Sequence, residues 1–192
     1  MTPHFEDAIA AVAPFPHASI PAILSPDEAA AALSWLTFEA PWSLRTESFY
    51  EQYEFSLLDV EIPRELRDLI APGFIDALRT FLQDRVGAPD RLDLVNASAH
   101  KLIPGQTIRL HNDFIGEEET HRVLIQLNDG WSAENGGILM LFNSHRPEDV
   151  ASAYLPVHAS GFAFEISPRS FHAVSTIRSG ERFTLVYTFR AS

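Results

Sequence analysis

Residues 109–122 read RLHNDFIGEEETHR. A histidine and an aspartate two apart at a strand end share one face, so His111 and Asp113 could grip one metal ion together. The pair is weak evidence alone. With 8 His and 26 Asp+Glu in 192 residues, composition predicts about one His-x-acid pair by chance. His4-Phe5-Glu6 is a second match, but it lies in an N-terminal segment that offers no third ligand.

A third ligand must come from another strand. His121, His145, His158 and His172 all follow Asp113. His172 opens the strand-like FHAVSTI, just after the turn SPRS. Two imidazoles and one carboxylate on one side of an ion leave open positions, which is the donor set of a non-haem ferrous site. Lone histidines in apolar strands are usually held by structural hydrogen bonds, and His100, His145 and His158 are read so. There are no cysteines, which excludes disulfides, thiolate-bound zinc and thiol catalysis.

Arg182 lies ten residues after His172, across a turn at RSGE. If the two flanking strands pair as a hairpin, Arg182 sits deeper than the metal and faces inward. A buried guanidinium needs an anionic partner, and no acidic residue is obviously placed to serve. A bound dicarboxylate would fit, with Thr184 on the same face adding a hydroxyl.

The elements that must position these groups fall into three regions of one domain. Residues 1–22, rich in Ala and Pro, read as an arm with a short first helix. Residues 23–90 read as a helical support. Ser25, Pro26 and Glu28 form a capping signature before AAAALSWL, IPRELRDLI suggests a short helix stopped near Pro72-Gly73, and GFIDALRTFLQDRVG suggests another ending at Gly87. SFYEQYEFSLLDVEI alternates and can contribute strands. Residues 91–192 carry strand-like runs at 92–103, 107–112, 121–128, 136–142, 161–166, 170–177 and 182–189, separated by turn residues. The predicted fold is mainly β with N-terminal helices, the β part a jelly roll or cupin-like double-stranded β-helix. Gly136-Gly137 reads as a plain hairpin turn and Trp131 as a packing residue.

IPGQTIRLHND, RVLIQLNDGWSAENGGILMLF and SFHAVSTIRSGERFTLVYTF together resemble the prolyl-hydroxylase-like branch of the iron(II)- and 2-oxoglutarate-dependent oxygenases. The resemblance spans residues 95–190. It implies that His111, Asp113 and His172 bind Fe(2+), and that Arg182 binds the distal carboxylate of 2-oxoglutarate, with Thr184 beside it. Where relatives often have tyrosines against the cosubstrate, this chain has Leu102 and Gln126, and Gln126 can still donate a hydrogen bond. Asp113 is retained, whereas halogenating relatives lack that carboxylate. The implied reaction consumes O2 and 2-oxoglutarate, hydroxylates a C–H bond and releases succinate and CO2. A jelly-roll metal- or ligand-binding module without turnover is the alternative, but it has no reason to bury Arg182.

The substrate is less constrained. Arg122 is in phase with Leu124 and Gln126, so it is expected to face the cavity near its mouth, with Glu117, Glu118 and Glu119 at the rim. There it could clamp a substrate carboxylate, or simply pair with those glutamates. A zwitterionic, amino-acid-like small molecule suits the clamp, and a peptidyl residue is the alternative. The formal net charge of −12 repels phosphate backbones and argues against nucleic acid as a partner. No apolar run approaches the roughly 18 residues of a membrane span. The first residues carry no basic n-region, so the expected location is cytoplasmic. Oligomeric state is left open.

Overall fold

The computed structural model describes residues 1–116 and 118–192. The capping signature at Ser25 forms as its chemistry requires. The Ser25 hydroxyl accepts from the Glu28 backbone N–H, and the Glu28 carboxylate accepts from the Ser25 backbone N–H, at 3.4 and 3.0 Å. Pro26 then opens helix α1 (Pro26–Phe38). The segment Arg64–Ile70 winds as a 3-10 helix. It stops just before Pro72, as expected, and Pro72 also opens α2 (Pro72–Val86), because proline suits a first helical turn as well as a break. Gly87, at φ 82°, ends α2 as the sequence suggests.

The N-terminal segment departs from expectation. Instead of a helix it forms two strands, β1 (Ile9–Ala11) and β2 (His17–Ile20). Pro14 and Pro16 lack the N–H a helix would use. Downstream, β2 pairs with β10 (Gly161–Glu165), so residues 17–20 are built into a sheet rather than laid over it.

Eight strands make the major sheet. Besides β1, β2 and β10 these are β3 (Ser43–Thr46), β4 (Glu51–Ser56), β5 (Leu92–Leu102), β7 (His121–Gln126) and β12 (Arg182–Ala191), in the order β1-β2-β10-β7-β12-β5-β4-β3. The minor sheet runs β6-β11-β8-β9, with β6 (Ile108–His111), β8 (Leu139–Phe142), β9 (Val150–Tyr154) and β11 (His172–Val174). Every recorded pairing is antiparallel, and the fold is the expected jelly roll. The strand β9 was not expected, since its small and polar residues give only a weak pattern. The turn RSGE does not close a hairpin. It carries the chain from β11 in the minor sheet to β12 in the major one.

Alternation along the strands divides the major sheet. One face buries Ala97, Ala99, Val123, Ile125, Leu185 and Tyr187 in a core shared with the helices. The Tyr187 hydroxyl donates to the Leu69 carbonyl there, at 3.1 Å. The other face turns toward the minor sheet. Its cross-strand rows are His100, Thr184 and Gln126, then Ser98, Val186 and Leu124, then Asn96, Thr188 and Arg122. Phe15, Phe162, Phe164, Leu139 and Val174 close a second core on that side. The polar rows therefore face into the roll.

Candidate metal and cosubstrate site

Strand β11 pairs with β6 so that His172 stands directly opposite His111. Each ring places Nδ1 on a backbone carbonyl, His111 on Arg109 at 2.8 Å and His172 on Ser170 at 2.7 Å. A carbonyl only accepts, so Nδ1 carries the hydrogen and Nε2 is left to act as a ligand. Both Nε2 atoms turn to Asp113, 3.2 Å from Oδ1 for His111 and 3.2 Å from Oδ2 for His172. The candidate ligand atoms of the three residues lie within 4.8 Å of one another, and they form the one such cluster among the described residues.

Asp113 has φ 57°, in the left-handed region that non-glycine residues seldom occupy. Asn112 secures the turn on both sides: its Oδ1 accepts from the Phe114 N–H at 3.2 Å, and its carbonyl accepts from the Ser170 hydroxyl at 2.8 Å. Burial alone would raise the Asp113 pKa. The charge of Arg122 outweighs it and holds the carboxyl well below its usual range. Burial pushes the His111 pKa down. Imidazole nitrogens and a carboxylate that converge in this way suit a divalent cation between them, and the donor set is one that iron accepts.

Arg182 is 4% exposed. Its Nε donates to the Gly137 carbonyl at 3.0 Å and its Nη1 to the Thr184 hydroxyl at 2.8 Å. Thr184 in turn donates to Gln126 Oε1 at 2.9 Å. Among the described residues no carboxylate lies within ion-pair distance of Arg182. Burial lowers its pKa to about 10, so it stays charged at neutral pH. Arg182, Thr184, Leu102 and the His–Asp–His cluster all line one cavity of about 1200 Å³. Gln126 does not line it. The Gln126 amide stands behind Thr184, beside a smaller cavity of about 300 Å³.

Gly136 and Gly137 are more than a hairpin turn. They lead from a short 3-10 helix (Ala133–Asn135) into β8, with φ of 74° and 66°. A Cβ on Gly137 would meet Arg182 Cδ and Ile177 Cδ1, both at 2.8 Å. Trp131 donates its indole N–H to the Gly136 carbonyl at 2.9 Å. The residues that seat Arg182 were thus in view in the sequence, but only strand pairing reveals which carbonyl they bring to it.

Arg122 faces inward, as its phase requires. Its Nη1 contacts Asp113 Oδ2 at 2.5 Å and its Nη2 contacts Glu119 Oε2 at 2.6 Å. Glu118 is exposed, and Glu117 lies outside the described residues. His100 lines the cavity with both ring nitrogens engaged, Nδ1 near Gln52 Nε2 at 3.2 Å and Nε2 near the Ser98 hydroxyl at 3.0 Å. Burial pulls its pKa down to about 3. His145 is exposed and His158 half-buried, and neither belongs to the ligand cluster.

Residues 97–190 match the model of the 2OG-Fe(II) oxygenase superfamily. Together with the jelly roll and its His–Asp–His cluster, that match makes the chain a member of this superfamily, a 2-oxoglutarate-dependent Fe(II) oxygenase. The superfamily uses Fe(2+), 2-oxoglutarate and O2, and the cluster fits the metal. Solved structures with the same fold include a Pseudomonas putida prolyl-4-hydroxylase, at 19% identity and TM-score 0.72, covering 92% of each chain. A Trichoplax adhaerens prolyl hydroxylase in complex with a peptide fragment of the hypoxia inducible factor oxygen degradation domain aligns at 15% identity and TM-score 0.72, over 91% of this chain and 83% of that one. HygX from Streptomyces hygroscopicus, with nickel and 2-oxoglutarate bound, aligns at 14% and 0.65, over 92% and 83%. At these identities the likeness concerns the fold. No curated protein matches the chain. Among the described residues no helix is long and apolar enough to cross a membrane.

Proposed function

We propose that the protein hydroxylates an unactivated C–H bond of an amino-acid-like substrate, with His111, Asp113 and His172 holding iron and Arg182 and Thr184 holding 2-oxoglutarate. One observation carries this: a buried guanidinium with no acidic partner among the described residues shares a single cavity with the His–Asp–His cluster. When bound, iron(II) and 2-oxoglutarate supply the O2-dependent oxidation that yields hydroxylated product, succinate and CO2.

The rest is the work of side chains. His111 and His172 present Nε2 because backbone carbonyls hold Nδ1. Arg182 offers charge to the distal carboxylate, and Thr184, bonded to both Arg182 and Gln126, fixes the angle of approach. Leu102, Leu139, Phe164, Val174 and Val186 line the same cavity and exclude water around that charge pair.

The cavity opens between the hairpin of β3 and β4 and the segment 112–115, lined by Leu44, Phe49, Phe114 and Ile115. At about 1200 Å³ it exceeds the roughly 300–1000 Å³ typical of small-ligand sites. Its size favours an amino-acid unit carried on a larger body, a peptidyl residue included, over a free amino acid. The engagement of Arg122 by Asp113 and Glu119 also weakens the case for a clamp on a free carboxylate. Succinate release should be measured across free amino acids, their N-acylated and amidated forms, and short peptides. Turnover confined to blocked or peptidyl forms supports the larger substrate, and turnover confined to free amino acids overturns it. Succinate at parental rates from His172→Ala would overturn the catalytic assignment itself.

A further inference from the structure

The candidate ligands come from one sheet, yet the strongest contact to Asp113 comes from the other. Asp113 follows β6 of the minor sheet, whereas Arg122 stands on β7 of the major sheet, opposite Thr188 and Phe164. The Asp113 backbone sits at φ 57°, a conformation that costs a non-glycine residue free energy and persists only where its surroundings enforce it. The Asn112 turn holds the backbone there. It does not hold the carboxylate, which can still rotate about its side-chain bonds.

Arg122 does hold it. Nη1 takes Oδ2 at 2.5 Å, and Nη2 takes Glu119 at 2.6 Å. The guanidinium is planar and rigid, so fixing one nitrogen on Glu119 fixes the direction in which the other presents itself to Asp113. Each oxygen lies 3.2 Å from one ligand imidazole, Oδ1 from His111 Nε2 and Oδ2 from His172 Nε2, but Oδ2 alone is also taken by the guanidinium. We propose, resting on the assignment of Asp113 as an iron ligand, that Arg122 is a positioning residue. Braced by Glu119, it presents Asp113 to the metal through one oxygen and keeps the carboxylate from swinging round to offer both.

Charge and geometry act in opposite directions here. A cation beside a metal site opposes metal binding by Coulomb repulsion, whereas a fixed ligand favours it. Arg122→Lys separates the two, because it keeps the charge and loses the fork. The probe is cobalt(II) alone, titrated by its visible ligand-field bands. Parent protein must bind it and Asp113→Ala must not; failure of either undoes the ligand assignment rather than the role of Arg122. With those in hand, Arg122→Lys should bind about tenfold more weakly or worse, the usual scale for losing a ligand-orienting partner. Its bands should weaken and shift as the carboxylate becomes two-toothed and coordination rises. Glu119→Gln, which leaves Arg122 in place but removes its ionic brace, should move both readouts the same way by less, and it serves if Arg122→Lys fails to fold. Parental affinity and parental bands in these folded variants, with only the melting temperature lowered, would overturn the proposal and leave Arg122 a structural ion pair.

Discussion

Replacing Gly137 with alanine tests how Arg182 is seated without touching any candidate ligand. Alanine at φ 66° costs about 1–2 kcal/mol through left-handed backbone alone. Its Cβ would also lie 2.8 Å from both Arg182 Cδ and Ile177 Cδ1 and 3.3 Å from Trp131. The Ile177 methyl is a chain end and can yield. Arg182 Cδ cannot yield cheaply, because its guanidinium is tied to the Gly137 carbonyl and to Thr184. Overpacking of this kind adds about 1–3 kcal/mol, so the whole substitution should cost about 2–5 kcal/mol in urea unfolding. If Arg182 is displaced, a charge-assisted bond worth about 1.5–3 kcal/mol is lost or strained. Affinity for 2-oxoglutarate should then fall about tenfold to a hundredfold. The assay is calorimetric titration of 2-oxoglutarate into cobalt-loaded protein, with cobalt affinity measured separately and expected to match the parent. Undiminished 2-oxoglutarate affinity in Gly137→Ala would show that Arg182 is not held by this loop, or is not the carboxylate site.

Arg182→Ala should lower 2-oxoglutarate affinity by about 3–5 kcal/mol while sparing metal affinity, and Arg182→Lys should fall between, both read by the same titration. Alanine at His111, Asp113 or His172 should each abolish ferrous binding while circular dichroism reports a folded domain, since each supplies a third of the protein donors. Acid should destabilise the fold. Burial pulls His121 to about 4 and His100 to about 3, below the ordinary value near 6.5, so the unfolded chain binds more protons. Stability therefore falls as pH drops from about 6.5 toward 4, by about 1.4 kcal/mol per pH unit for each histidine. In urea unfolding at several pH values, His121→Gln should remove one such increment of slope, and an unchanged slope would contradict it.

The jelly roll was legible because turn residues recur between short alternating runs, and because Ser25, Glu28 and Gly87 are strong local signals. The Ala- and Pro-rich start was not, since whether His17–Ile20 forms an arm or a strand depends on β10, about 140 residues away in sequence. His111, Asp113, His172 and Arg182 could be picked out as candidates from type, order and spacing together with the family resemblance. Their mutual placement could not, because His172 and Arg182 sit on different sheets and not on one hairpin. Arg122 shows the limit most clearly. Strand phase gave its direction and the neighbouring glutamates supplied one partner, Glu119, but its contact with Asp113 depends on the turn after β6, which spacing does not reveal.

The most direct measurement is optical. Ferrous iron is added anaerobically to metal-free protein, followed by 2-oxoglutarate, and the visible spectrum is recorded. The protein should develop a weak charge-transfer band that appears only when both are present. The band should be lost in His172→Ala at any 2-oxoglutarate concentration, and in Arg182→Ala it should return only at much higher 2-oxoglutarate. Iron that binds without any band at saturating 2-oxoglutarate, or a band that survives His172→Ala unchanged, would contradict the assignment of this cavity as the shared site of metal and cosubstrate.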